Sequence, residues 1–266
     1  MLLLITGLLL VLAYWGALSG MAEQWATDED MSYGFAVPVV VAWVVYRERG
    51  LLSTIPANPS NLGLCLVLLA AALVLAGSVG AGLFVAAVGF WLAVAGSILF
   101  LGGWPYVRAL GFPLFLMLFM LPKLAFVYAE VTLPLQLTAT RLAGAILSTL
   151  GVTVVRTGNV LDLGQVRLSV TEACNGMRFL LSLAFLAVVF GYAMGPSAWI
   201  RWALLAATIP VAIGANALRV AAIGLLAAKD PALANGFLHF FSGWLVFLVS
   251  LAVLALVRKG LTRIHV

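Results

Sequence analysis

The chain has 266 residues, of which 65% are hydrophobic and 9% charged, with a formal net charge of +5. So few charges exclude a water-soluble domain, and apolar runs of about 18 residues or more recur, each long enough for a hydrocarbon core of roughly 30 Å. The runs do not alternate, which excludes a β-barrel, and the basic residues sit at helix ends, which excludes a nucleic-acid patch.

The chain therefore reads as an all-α polytopic membrane protein of about eight transmembrane helices, one domain over residues 1–266. Residues 1–18 are the first span, read as retained because neither a basic leader nor a small-residue cleavage site marks them. Glu23, Asp28, Glu29 and Asp30 form an acidic loop. Residues 33–46 are a short apolar segment with Pro38, ended by Arg47-Glu48-Arg49. Residues 62–77 and 81–101 form an antiparallel pair with a tight Gly/Ser connection, and their many glycines and alanines suit close helix packing. Trp104 to Arg108 marks an interface, and residues 109–121 are the fifth span.

An outer-face insert occupies about 122–176. Lys123, Glu130, Gln136, Thr138, Thr140 and Arg141 punctuate the apolar stretch 124–150, which suits an amphipathic helix lying along the membrane surface. Residues 152–170 read as a small β-hairpin outside the bilayer, with turns at Thr157-Gly158-Asn159 and Leu163-Gly164-Gln165. The hairpin leads into Cys174. Spans six to eight follow at 177–194, 200–228 and about 237–257, with Arg258, Lys259, Arg263 and His265 in the tail. A catalytic core is expected over about 171–257.

The two cysteines are Cys65, inside an apolar run, and Cys174, at a helix end, a placement that argues against a structural disulfide. A cysteine at a helix N-terminus meets unpaired N–H groups and the positive end of the helix dipole, which favour the thiolate. Read alone, Cys174 is better taken as a small buried hydrophobe, which is what most free cysteines are. Two distant segments change that balance. Arg219 sits in a span with Asn216 one turn before it on the same face, and ionisable residues inside spans are costly and usually functional. His239 stands at the start of span eight among aromatic residues. With both chain ends placed in the cytoplasm by a slight positive bias, Cys174, Arg219 and His239 come to the same depth on the outer face. Snorkelling of Arg219 and an interfacial role for His239 are the bland alternatives.

Together the three suit acyl transfer: a thiolate to attack an amide carbonyl, an imidazole to move the proton, and a guanidinium for the oxyanion or a substrate carboxylate. Glu172 and Asn216 are candidates to orient them, and Asn175 and Arg178 to support them. No metal-ligand cluster is present in the sequence and no cofactor is expected.

Glu172-Ala-Cys-Asn-Gly-Met-Arg178, Ala215-Asn-Ala-Leu-Arg-Val220 and Phe237-Leu-His-Phe-Phe-Ser-Gly-Trp244 resemble three signature segments of the exosortase/archaeosortase family. Tyr33-Gly-Phe-Ala-Val-Pro38 with Tyr46-Arg-Glu-Arg49, Leu133-Pro-Leu-Gln-Leu-Thr-Ala-Thr-Arg141 and Gly158-Asn159 extend the resemblance over nearly the whole chain. The resemblance implies a multi-pass cysteine protease and transpeptidase of the bacterial inner membrane, active at its extracytoplasmic face. The implied partners are the lipid bilayer and exported proteins bearing a PEP-CTERM-type carboxy-terminal sorting signal: a short motif, a transmembrane helix and a basic tail. No nucleic-acid partner is implied. Carried over, Cys174 is the nucleophile and Arg219 and His239 are its partners; the archaeal branch is described with an arginine as proton donor. Asn175 stands where the family commonly has a small residue, and Tyr33 where it commonly has a histidine. A transporter or channel lined by Arg219 and Asn216, and a non-catalytic relative, are the competing readings.

Overall fold

The computed structural model describes residues 2–164, 166–170, 176–193, 198–229 and 237–264. Among these the chain is mostly helical, with twelve α-helices and one small sheet. Contacts divide it into two compact units, Met1–Leu124 and Ala125–Val266.

In the first unit, α1 (Leu2–Ala13) and α2 (Trp15–Thr27) replace the single straight span expected over residues 1–18. They meet at Tyr14 with a bend of 70°. A 3-10 turn over Glu29–Phe35 follows, held by Lys123 Nζ, which lies 2.6 Å from an Asp28 carboxylate oxygen and 3.6 Å from Asp30. Trp25 donates its indole N–H to the Met120 carbonyl at 3.2 Å. The short apolar segment is α3 (Ala36–Arg47), only twelve residues, or about 18 Å of helix. The chain continues through α4 (Arg49–Thr54).

Helices α5 (Leu62–Ala76) and α6 (Leu83–Leu101) are the expected pair, joined by a five-residue π turn over Gly77–Ala81. Their glycines set the spacing. A Cβ on Gly63 would strike the Phe100 backbone nitrogen and lie 2.6 Å from the Gly96 carbonyl oxygen; one on Gly89 would lie 2.9 Å from the Ala70 carbonyl oxygen. Without an aqueous driving force between helices, such backbone contact supplies the dispersion that holds them together. The expected fifth span is broken into α7 (Trp104–Ala109), α8 (Gly111–Met117) and a 3-10 turn over Leu118–Met120.

The second unit begins with α9 (Ala125–Thr149), a 25-residue helix that passes through Pro134. The polar residues of α9 divide between its faces: Gln136 and Thr140, with Thr132, spaced one turn apart, are buried, while Glu130 and Arg141 are exposed. Thr140 donates to the Gln136 carbonyl at 2.7 Å, so its hydroxyl is satisfied within the helix. The hairpin expected next gains a third strand. β1 (Val155–Thr157), β2 (Val160–Asp162) and β3 (Arg167–Ser169) form an antiparallel meander in that order. Its turns hold Gly158 and Gly164 at positive φ, as the sequence suggests.

The remaining helices are α10 (Met177–Ala193), α11 (Ala198–Lys229) and α12 (Phe237–Ile264). Helix α12 runs well past the expected end near 257, so Arg258, Lys259 and Arg263 are helical rather than part of an irregular tail. Helix α11 packs against α9, α10 and α12. Among the described residues four helices are long and apolar enough to cross a membrane, or up to six if each of two bent pairs is one crossing. Helix α10, at 17 residues, is shorter. The structure thus supports a multi-pass membrane protein; among the described residues the first, second and fifth expected spans are bent, short or interrupted, so four to six crossings rather than eight meet the test of length and composition.

Candidate active site

The candidate residues collect around the middle of α11. Its Asn216 and Arg219 are 1% and 7% exposed. They lie three residues apart and so share a helix face. Gly176 closes on that face from the start of α10. Its φ of +83° is a backbone state that favours glycine, and a Cβ there would lie 3.1 Å from Asn216 Cβ and 3.3 Å from its Nδ2. The Gly176 carbonyl accepts the Leu180 N–H at 3.0 Å, which starts α10 directly after this contact.

From the other side, α12 meets Arg219. The Arg219 Nε donates to Ser242 Oγ at 3.2 Å, and a Cβ on Gly243 would lie 3.8 Å from Arg219 Nη2. The guanidinium carbon lies 5.7 Å from the centre of the Phe179 ring on α10. Phe179 belongs to an apolar cluster with Leu183 and Ala212, flanked by Val246 and Phe247. A planar, weakly hydrated cation tolerates such surroundings when its donors are used and its face meets an aromatic ring.

The sheet braces the same stretch of α11. Leu161 and Val170 form a core cluster with Ala143 and Leu147 of α9 and with Val220 and Ala221, the two residues after Arg219. Val170 is held on both sides of its peptide: its N–H donates to the Asn159 carbonyl at 2.9 Å, and its carbonyl accepts from Asn159 Nδ2 at 3.1 Å. The segment carrying Cys174 therefore leaves one fixed point at Val170 and arrives at another, Gly176 against Asn216. At the end of the central strand, the Gly164 N–H and the Arg167 guanidinium both donate to the Asp162 carboxylate, each at 3.0 Å, and hold its pKa below the usual carboxylate range.

Three of the singled-out residues, Glu172, Cys174 and Asn175, lie outside the described residues. His239 lies in the first turn of α12, with its side chain outside the description; positions 242 and 243 follow it by three and four residues, which is helical same-face spacing. Arg178 is half-buried in the first turn of α10. The described parts of the three sequence motifs thus meet: Gly176 of the first, Asn216 and Arg219 of the second, Ser242 and Gly243 of the third. Ser242 and Phe179 are the contacts that sequence reasoning missed. Ser242 had a signal, its place within the aromatic motif three residues after His239. Phe179 had none, since one apolar residue among many gives no direction.

Among the described residues no group of three or more His, Cys, Asp or Glu side chains is placed to hold a metal ion. The sequence profile of the transmembrane exosortase family (Exosortase_EpsH) matches residues 25–256 of the chain. No curated protein and no solved structure matches it. The chain belongs to the transmembrane exosortase family.

Proposed function

We propose that the protein is a membrane-embedded cysteine protease and transpeptidase that cleaves the carboxy-terminal sorting signal of exported proteins through an acyl-thioester on Cys174. The observation that carries this reading is the buried pair Asn216 and Arg219 on one face of α11, with Gly176 of the cysteine motif against Asn216 and Ser242 of the histidine motif bonded to Arg219. Gly176 is two residues from Cys174, a reach of at most about 7 Å along the backbone. His239 precedes Ser242 by one helical turn.

In the proposed reaction the Cys174 thiolate attacks the scissile carbonyl carbon. The C–S bond forms, and the carbonyl π electrons move onto oxygen, where Arg219 is the charged donor. Collapse of the tetrahedral adduct breaks the C–N bond, and protonated His239 gives its proton to the leaving amine. Water or an amine then attacks the thioester, His239 takes up the proton of that acceptor, and the thiolate leaves. Asn216 holds the α11 face against Gly176. The site faces the extracytoplasmic side of the bacterial inner membrane, and its substrates carry a motif, a transmembrane helix and a basic tail.

Transport is the weaker reading. It favours helices unwound at mid-depth, whereas α11 is one continuous helix through Asn216 and Arg219. The experiment is co-expression of the protein with an exported substrate bearing such a tail. Cys174→Ala abolishes processing while the protein still accumulates in the membrane; undiminished processing refutes the assignment. A non-catalytic relative would leave the tail intact with the native chain as well.

A further inference from the structure

A cavity of about 440 Å³ opens among α10, α11 and α12, lined by Ala187, Phe190, Leu204, Leu251, Ala255 and Arg258 among others. Its volume lies within the usual range of roughly 300–1,000 Å³ for small-molecule sites. The lining is apolar except for Arg258, which is half-buried. Among the described residues Arg258 makes no hydrogen bond or ion pair. The described carboxylates of this unit are Glu130 and Asp162 alone, and Asp162 is taken up by Arg167 in the sheet.

The cavity lies beside the cluster of Ala187, Leu204 and Leu254, where the start of α11 meets the end of α12. Arg201, Lys259 and Arg263 belong to the same helix ends. From Arg201 to Arg219 the helix rises about 27 Å, so this end is nearly a bilayer core away from Arg219. An excess of basic residues marks the cytoplasmic side, whose leaflet is rich in anionic lipids.

We propose that this cavity is a binding site for an anionic phospholipid, with an acyl chain in the apolar slot and the phosphate on Arg258. A half-buried guanidinium at the mouth of an apolar cavity calls for a countercharge, and its planar fork of donors matches phosphate oxygens. A basic peptide tail is the wrong partner, because it would meet a cationic rim.

The test is native mass spectrometry of the full chain released from micelles holding equal phosphatidylglycerol and phosphatidylcholine. The wild type retains phosphatidylglycerol in preference to phosphatidylcholine. Arg258→Gln lowers the retained phosphatidylglycerol about tenfold, and Ala255→Trp, which fills the slot, removes bound lipid of either kind. Arg47→Gln, in the other unit, changes neither. Circular dichroism and the thermal midpoint verify that each variant is folded. Equal retention of the two lipids by the wild type, unchanged phosphatidylglycerol in Arg258→Gln, or a second copy of the chain bound in place of lipid overturns the proposal.

Discussion

Gly176 and Asn216 touch across two helices: a Cβ on the glycine would sit 3.1 Å from the asparagine Cβ, at a φ of +83°. That contact fixes where the cysteine-bearing segment enters α10. Gly176→Ala meets both a crowded neighbour and a left-handed backbone, at a cost of about 1–2 kcal/mol. Gly214→Ala, two residues before Asn216, meets nothing within 4 Å on an ordinary helical backbone and should stabilise by up to about 1 kcal/mol. Unfolding in mixed micelles separates the two, and substrate processing falls only in Gly176→Ala.

Arg219 is positioned by Ser242 and Phe179. Arg219→Lys keeps the charge but loses the fork that binds Ser242 and, in the proposed mechanism, the oxyanion, so kcat should fall at least about a hundredfold. Ser242→Ala removes one hydrogen bond of about 1.4 kcal/mol and should lower kcat about tenfold. Ser242→Thr keeps the hydroxyl and restores most of the rate. A Ser242 whose role is packing alone would show no such rescue. Initial rates on a purified substrate make the comparison.

Asn159 ties the end of the sheet by binding both sides of the Val170 peptide. Asn159→Ala leaves the Val170 carbonyl without its side-chain donor, a loss of about 1 kcal/mol. Hydrogen exchange over residues 166–180 should accelerate in the variant while exchange in α5 and α6 stays unchanged. Equal protection in both proteins would remove this anchor from the account.

The Asp162 carboxyl is held low chiefly by the Gly164 N–H, then by Arg167. Its folded pKa lies below its unfolded value of 3.8, so the stabilisation is present above that pH and is lost as pH falls through the folded value. Carbon-13 NMR of labelled aspartate should show one resonance, absent in Asp162→Asn, with its midpoint below the ordinary aspartate value. Arg167→Gln should move its midpoint upward. Processing near neutral pH should not change in that variant.

Much of this was readable from residue types. Glycine-rich α5 and α6 announce close packing, Gly158 and Gly164 announce turns, and the apolar runs announce membrane helices. Gly176 is legible as a point of close approach, although its partner is not. Spacing gave no account of the break at Tyr14, because an apolar run looks the same straight or bent. Nor does spacing tell which polar residues of α9 are buried: Gln136 and Thr140 are and Glu130 and Arg141 are not, because a threonine that binds its own helix can be buried. All three strands have only three residues, too few for alternation to delimit them, and the second turn at Leu163-Gly164-Gln165 is the one signal that points to the third. At the site, the polar residues Asn216 and Arg219 were legible because they are costly inside a span, whereas Phe179 was hidden by its ordinariness.

The mass of the new carboxy terminus on the processed substrate, measured with hydroxylamine present, tests the Cys174 thioester most directly. Hydroxylamine attacks a thioester carbon and releases the thiol, so the account predicts a carboxy-terminal hydroxamate with the wild type and no cleaved product with Cys174→Ala. Cleavage that yields only the free carboxylate, and proceeds equally in Cys174→Ala, would contradict it.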